Sequence, residues 1–136
     1  MNFTAVNFLA ILVAAIAHMV LGFLWYGPLF SKAWIAARGM KPEDMQNQSF
    51  NPVGYLVPFV GALVSAYVLS LFITASGQGT LGGGLLIGVL AGLGLLVPAY
   101  AATYLFSGKP MTLYLIDVGY GVVSLAIMGL ILGAWR

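Results

Sequence analysis

The chain has no cysteine, and among its 136 residues only five are lysine or arginine, three are aspartate or glutamate and one is histidine. Without thiols there are no disulfides, thiolate metal sites or cysteine nucleophiles. Charge is too scarce to cover a water-facing surface: a soluble domain carries roughly 25% charged residues, this chain 6%. A net charge of +2 gives no basic face able to neutralise a run of phosphates, which sets nucleic acid aside as a partner. Enzyme signatures are missing too. There is no Gly-x-Ser-x-Gly elbow, no His-Glu-x-x-His pair and no phosphate loop ending in Gly-Lys. A lone histidine cannot build a multi-histidine metal centre. No catalytic residue, metal or cofactor is therefore assigned.

What is present is apolar: 62% of residues are hydrophobic and the mean hydropathy is +1.04. A helix crosses the hydrocarbon core with about 20 apolar residues. Four stretches have that length: Phe3 to Tyr26, Val53 to Ala75, Leu81 to Phe106 and Thr112 to Trp135. The expected fold class is an all-α membrane protein, one domain over residues 1–136 with four transmembrane helices and a short interfacial helix in the first loop. The first stretch lacks a basic n-region and its positive charges follow it, so it reads as a retained helix and not a signal peptide.

Lys32, Arg38 and Lys41 lie in the first loop and Lys109 in the third, against only Arg136 and the amino terminus on the opposite face. The positive-inside rule then puts the first and third loops in the cytoplasm and both termini outside an inner (cell) membrane. Trp25, Tyr26, Trp34, Tyr55, Tyr104 and Tyr114 gather at the same boundary, as an aromatic belt does. In the first loop Gly27 and Pro28 stop the span, and residues 29–39 form the interfacial helix. Trp25, Trp34 and Ile35 meet the headgroup boundary there, Lys32 and Arg38 reach toward anionic lipid, and Gly39 ends it. Pro42-Glu43-Asp44 resembles the first turn of a further helix, its carboxylates solvated.

Gly84, Gly88 and Gly92 recur every four residues in the third span, and Gly129 and Gly133 in the fourth. Such stripes let backbones approach closely in lipid, either within one chain or between protomers. The partners expected are the bilayer and either further copies of the chain or a larger membrane complex. Pro58 and Pro98 should kink the second and third spans.

Tyrosines aside, His18 and Asp117 are the ionisable residues well inside the spans. Such groups are costly in hydrocarbon unless paired, hydrated or neutral, and they mark candidate sites. Their depths differ by only about 5 Å at 1.5 Å per residue. Asn7, Ala14, His18 and Trp25 share a face of the first helix, and Asp117, Gly121, Ser124 and Met128 share one of the fourth. Thr103 continues the face of Gly92 and Ala99, with Tyr100 and Tyr120 nearby. Together they outline a polar seam, read either as a lock between helices or as a proton or small-ligand site.

Three segments carry a family resemblance: Leu24-Trp25-Tyr26-Gly27-Pro28-Leu29-Phe30 with Lys32-Ala33-Trp34, Asp117-Val118-Gly119-Tyr120-Gly121-Val122-Val123, and Ala126 to Trp135. Across essentially its whole length the chain resembles the small four-helix membrane family known as domain of unknown function 1761. It departs from that pattern at Gly121, where a basic residue is expected. The resemblance implies the architecture and no activity. The function expected from the residues is a small channel or transporter for a proton or small solute through the seam. A non-catalytic accessory or assembly subunit is the alternative, and a membrane-embedded enzyme comes third.

Overall fold

The computed structural model describes residues 4, 6–39, 41 and 52–135. Among them every regular element is helical: α1 (Phe8–Leu24), a π turn (Trp25–Leu29), α2 (Ser31–Ala37), α3 (Val53–Ala75), α4 (Leu81–Ala91), a second π turn (Gly92–Leu96), α5 (Val97–Phe106) and α6 (Met111–Ala134). Four rods are long and apolar enough to cross a membrane, at Phe8–Leu29, Val53–Ala75, Leu81–Phe106 and Met111–Ala134. Large apolar side chains such as Val57, Leu95, Leu105 and Phe106 stand exposed around them, a surface suited to lipid and not to water. The protein is an all-helical membrane protein with four spans. Arg136 and the helical turn expected at Pro42-Glu43-Asp44 lie outside the described residues, and the first span, expected over Phe3 to Tyr26, runs instead over Phe8–Leu29.

Helix ends follow local chemistry. The first span begins at Phe8 because Asn7, in extended backbone, accepts hydrogen bonds through Oδ1 from the Leu9 and Ala10 amides at 3.1 and 3.2 Å. Asn7→Ala is expected to cost about 1 kcal/mol and to speed amide exchange at Leu9 and Ala10 while leaving the far half of the bundle unchanged. The second and third spans end in glycines at positive φ, Gly77 (73°) and Gly108 (68°). In each the amide after the glycine turns back onto a last-turn carbonyl, Gln78 to Ile73 at 3.1 Å and Lys109 to Tyr104 at 3.1 Å. A side chain at such a position would strain the backbone.

Two wide turns set the directions of the spans. At the end of the first, the Phe30 amide reaches the Trp25 carbonyl at 2.9 Å, and Gly27 leaves helical geometry (φ −100°, ψ −106°) just before Pro28. The chain turns there into α2, which folds back against α6. In the third span the Val97 amide bonds to the Gly92 carbonyl, and Pro98 follows in the first turn of α5. Positions four apart on a straight α-helix advance about 40° per step, so a series from Gly84 through Gly88, Gly92, Leu96 and Tyr100 to Tyr104 would wind halfway round. The extra residue in the π turn takes back about 100°, and the series stays turned toward α6. Gly84, Gly88 and Gly92 meet Gly129, Leu125 and Val122, Leu96 meets Gly121, and Tyr104 meets Asp117. Pro58, by contrast, is carried inside α3 without interrupting it.

The glycine stripes pack on each other within one chain. A Cβ on Gly84 would lie 2.8 Å from the Gly133 Cα, and one on Gly129 would fall inside the Gly84 carbonyl. At the same end Ala10, Ile11, Ala14, Ala66, Leu69, Ile73, Met128 and Leu132 form the buried apolar core joining α1, α3 and α6. Toward the other end α3 and α5 scarcely touch, and the space between them belongs to the site.

Candidate functional site

The half of the bundle beyond the apolar core is built from aromatic and polar groups. Asp117, in the second turn of α6, is half-buried and bridges three spans. Its Oδ1 accepts from the Tyr26 hydroxyl at 2.7 Å and its Oδ2 from the Tyr104 hydroxyl. Tyr26 sits in the π turn of the first span, and Tyr104 reaches α6 through the phase shift described above. Two phenol donors on one carboxylate offset much of the cost of holding it away from water.

Two turns along α6 from Asp117, the buried Ser124 hydroxyl meets Nδ1 of His18 from α1. His18 and Asp117 do not bond to each other; Tyr120 lies between them. Its ring centroid is 5.0 Å from that of His18 and 5.3 Å from that of Tyr26. Its hydroxyl donates to the His18 carbonyl at 2.8 Å. That hydroxyl passes over Gly22, where a Cβ would sit 2.9 Å from the Tyr120 oxygen, so the missing side chain at Gly22 opens the path. Trp25 fixes the same corner, donating from Nε1 to the Ile116 carbonyl at 2.9 Å and covering Gly119, where a Cβ would lie 3.1 Å from the indole.

His18, Asp117, Tyr26, Tyr100, Tyr104, Tyr120 and Ser124 all line one cavity of about 440 Å³, and its apolar wall is Leu96, Leu125 and Met128. Among the described residues no lysine or arginine lines it. Ser65 of α3 and the tyrosines of α5 stand on its two sides, so it opens through the gap between those helices. A second cavity of about 420 Å³, between α1 and α3, shares His18, Tyr26 and Tyr120 with the first. These three side chains form the partition between the two.

Of the residues expected in the seam, His18, Asp117, Tyr100, Tyr120 and Ser124 come together, and Gly121 and Met128 share their face as the α6 periodicity predicts. Asn7 does not join them: it caps α1 eleven residues before His18, about 16 Å along the helix. Thr103 is exposed and bonds back to the Ala99 carbonyl at 3.2 Å. The π turn is the reason, since the face running from Gly92 through Ala99 to Thr103 assumes an uninterrupted α-helix. Trp34, expected against headgroups, is half-buried on the protein, edge-on to Tyr26 at 5.6 Å and beneath the Arg38 guanidinium at 4.6 Å. Lys32 is exposed on α2, and Gly39 ends that helix region at φ 71°, as expected.

Tyr26 and Tyr104 are the site residues that the sequence reading placed elsewhere, in the aromatic belt. A phenol at the depth of an intramembrane carboxylate is the signal that finds them. The segments around Trp25 and Asp117 that carry the family resemblance therefore touch, through Tyr26 on Asp117 and Trp25 on the Ile116 carbonyl.

No curated protein and no solved structure matches the chain. The family model described as Protein of unknown function (DUF1761) matches residues 9–133, and the protein belongs to that family.

Proposed function

We propose that the protein is a small carrier which takes up a proton or small solute at the Asp117 cavity and passes it across the bilayer. One observation carries this reading: the only carboxylate among the described residues and the only histidine line the same cavity, within spans that otherwise hold no formal charge. Intramembrane ionisable groups are costly, and here they face a protein cavity and not lipid. Histidine is the side chain whose charge changes between pH 5 and 8; Ser124 bonds His18, the Tyr26 hydroxyl bonds Asp117, and the Tyr120 ring lies between His18 and Tyr26. The apolar cluster of Ala10, Ala14, Ile73, Met128 and Leu132 fills the opposite half of the bundle. A carrier that must rearrange to release its load fits such a plug better than an open pore. The excess of basic residues at the cavity end orients that end toward the cytoplasm, with both termini outside.

The test is flux in liposomes holding the purified chain under an imposed pH gradient, read with a trapped pH dye. Gradient dissipation, alone or on addition of solute, is expected for the wild type, and Asp117→Asn and His18→Gln should each abolish it. Unchanged rates in both variants, with helicity and elution profile preserved, would overturn the carrier reading.

A further inference from the structure

Resting on the reading of the Asp117 cavity as a solute site, we propose that it takes an organic ammonium cation with an apolar body. Charge is the first argument. Asp117 carries the negative charge of the cavity, Tyr26 and Tyr104 supply hydrogen bonds but no counter-charge, no lysine or arginine among the described residues reaches the lining, and His18, the one basic side chain there, is engaged by Ser124 and not by Asp117. An anion is repelled there, and a neutral solute leaves the carboxylate uncompensated in a medium where that is expensive.

The walls make the second argument. Tyr26, Tyr100, Tyr104 and Tyr120 line the cavity with the carboxylate, and aromatic faces attract ammonium groups, most strongly when water is excluded. The same chemistry already operates at this end of the molecule: the Lys109 ammonium lies 4.9 Å from the Tyr104 ring centre, and the Arg38 guanidinium 4.6 Å from that of Trp34. Leu96, Leu125 and Met128 form the remaining wall. They favour an alkyl or aryl body and disfavour a hydrated metal ion, which needs several oxygen ligands. The volume of about 440 Å³ lies within the range of small-molecule sites. Entry runs between α3 and α5, where Val64, Val68, Leu95 and Ala99 line an apolar approach to Ser65 and Leu96. An ammonium could arrive that way as a soluble cation or as the headgroup of an aminolipid.

The experiment is calorimetric titration of the full chain, in nanodiscs of phosphatidylglycerol, with benzyltrimethylammonium, benzyl alcohol and benzoate. Only the cation is expected to bind, and Asp117→Asn should weaken it at least tenfold. Should Asp117→Asn fail to fold, Tyr100 keeps the question open, because it lines the cavity and leaves the carboxylate intact. Tyr100→Phe should bind like the wild type, and Tyr100→Leu roughly threefold to tenfold more weakly. Benzyl alcohol binding as tightly as the cation, or equal affinity in Tyr100→Leu and Tyr100→Phe, overturns the proposal. Repeating the titration with phosphatidylethanolamine in the disc separates the sources. A weakened affinity for the probe identifies the lipid ammonium as the natural occupant, and an unchanged one identifies a soluble cation. An Asp117-dependent flux without cation binding sinks the cation class and spares the carrier. Cation binding without flux does the reverse.

Discussion

Gly129→Leu is expected to abolish the folded bundle. The position lies where α4 and α6 cross with backbone on backbone: a Cβ there would fall within the Gly84 carbonyl, 2.9 Å from its carbon and 3.3 Å from the Gly88 Cα. Overpacking a core usually costs about 1–3 kcal/mol because side chains give way; here the obstacle is main chain, and only separation of the helices relieves it. In lipid those helices are held by packing and not by the hydrophobic effect, so separation forfeits the contact along Gly84, Gly88, Gly129 and Gly133. A loss above about 4 kcal/mol would consume most of an ordinary margin of stability. Unfolding in mixed micelles of mild detergent and dodecyl sulfate reads it directly. Gly61→Ala is the control: Gly61 sits on the exposed face of α3 with nothing within 4 Å of its Cβ position, and alanine there should be neutral or slightly stabilising through helix propensity. If Gly129→Leu unfolds at the wild-type detergent fraction, the close crossing is wrong.

That crossing also bears on what the glycine stripes are for. From sequence they could serve contacts inside one chain or between protomers, because a four-residue repeat records close approach and not the identity of the neighbour. The structure spends them internally, and they are not a free surface for docking on a larger complex. Spans were legible because length and hydropathy determine them; Val53 to Ala75 and Leu81 to Phe106 appear with the expected bounds. The α6 face was legible for the same kind of reason, since nothing interrupts the helix between Asp117 and Met128. The third span was not, because a single π turn re-phases everything after Gly92: it removes Thr103 from the cavity and brings Tyr104 onto Asp117. Pro98 marks a disturbance in that region, but a proline alone does not say whether the helix bends, breaks or widens. Asn7 was read by periodicity as a member of the seam, although its place just before an apolar run is also a capping signature. At a helix start, capping has the stronger claim, since it satisfies amides that lack partners in any helix.

The second large effect concerns the two phenols on Asp117. Tyr26→Phe and Tyr104→Phe each remove one hydroxyl and keep the ring, so packing against Trp34, Tyr120, Tyr100 and Tyr114 is retained. A hydrogen bond to a charged group contributes about 1.5–3 kcal/mol. The double variant should therefore be destabilised by more than either single variant, by at least about 3 kcal/mol at neutral pH, the two phenols sharing one carboxylate and so not adding simply. The carboxylate is then left in the bundle without a donor. Adding Asp117→Leu to the double variant removes the group that needed them, and stability should return toward the wild type, since replacing a buried polar network by apolar groups of similar size is often neutral. Uptake or binding at the cavity should stay lost in the triple variant. The pattern of loss and recovery in detergent unfolding separates a carboxylate sustained by its tyrosines from one that water already solvates: in the latter case the double variant would unfold with the wild type, and Asp117→Leu would have nothing to rescue.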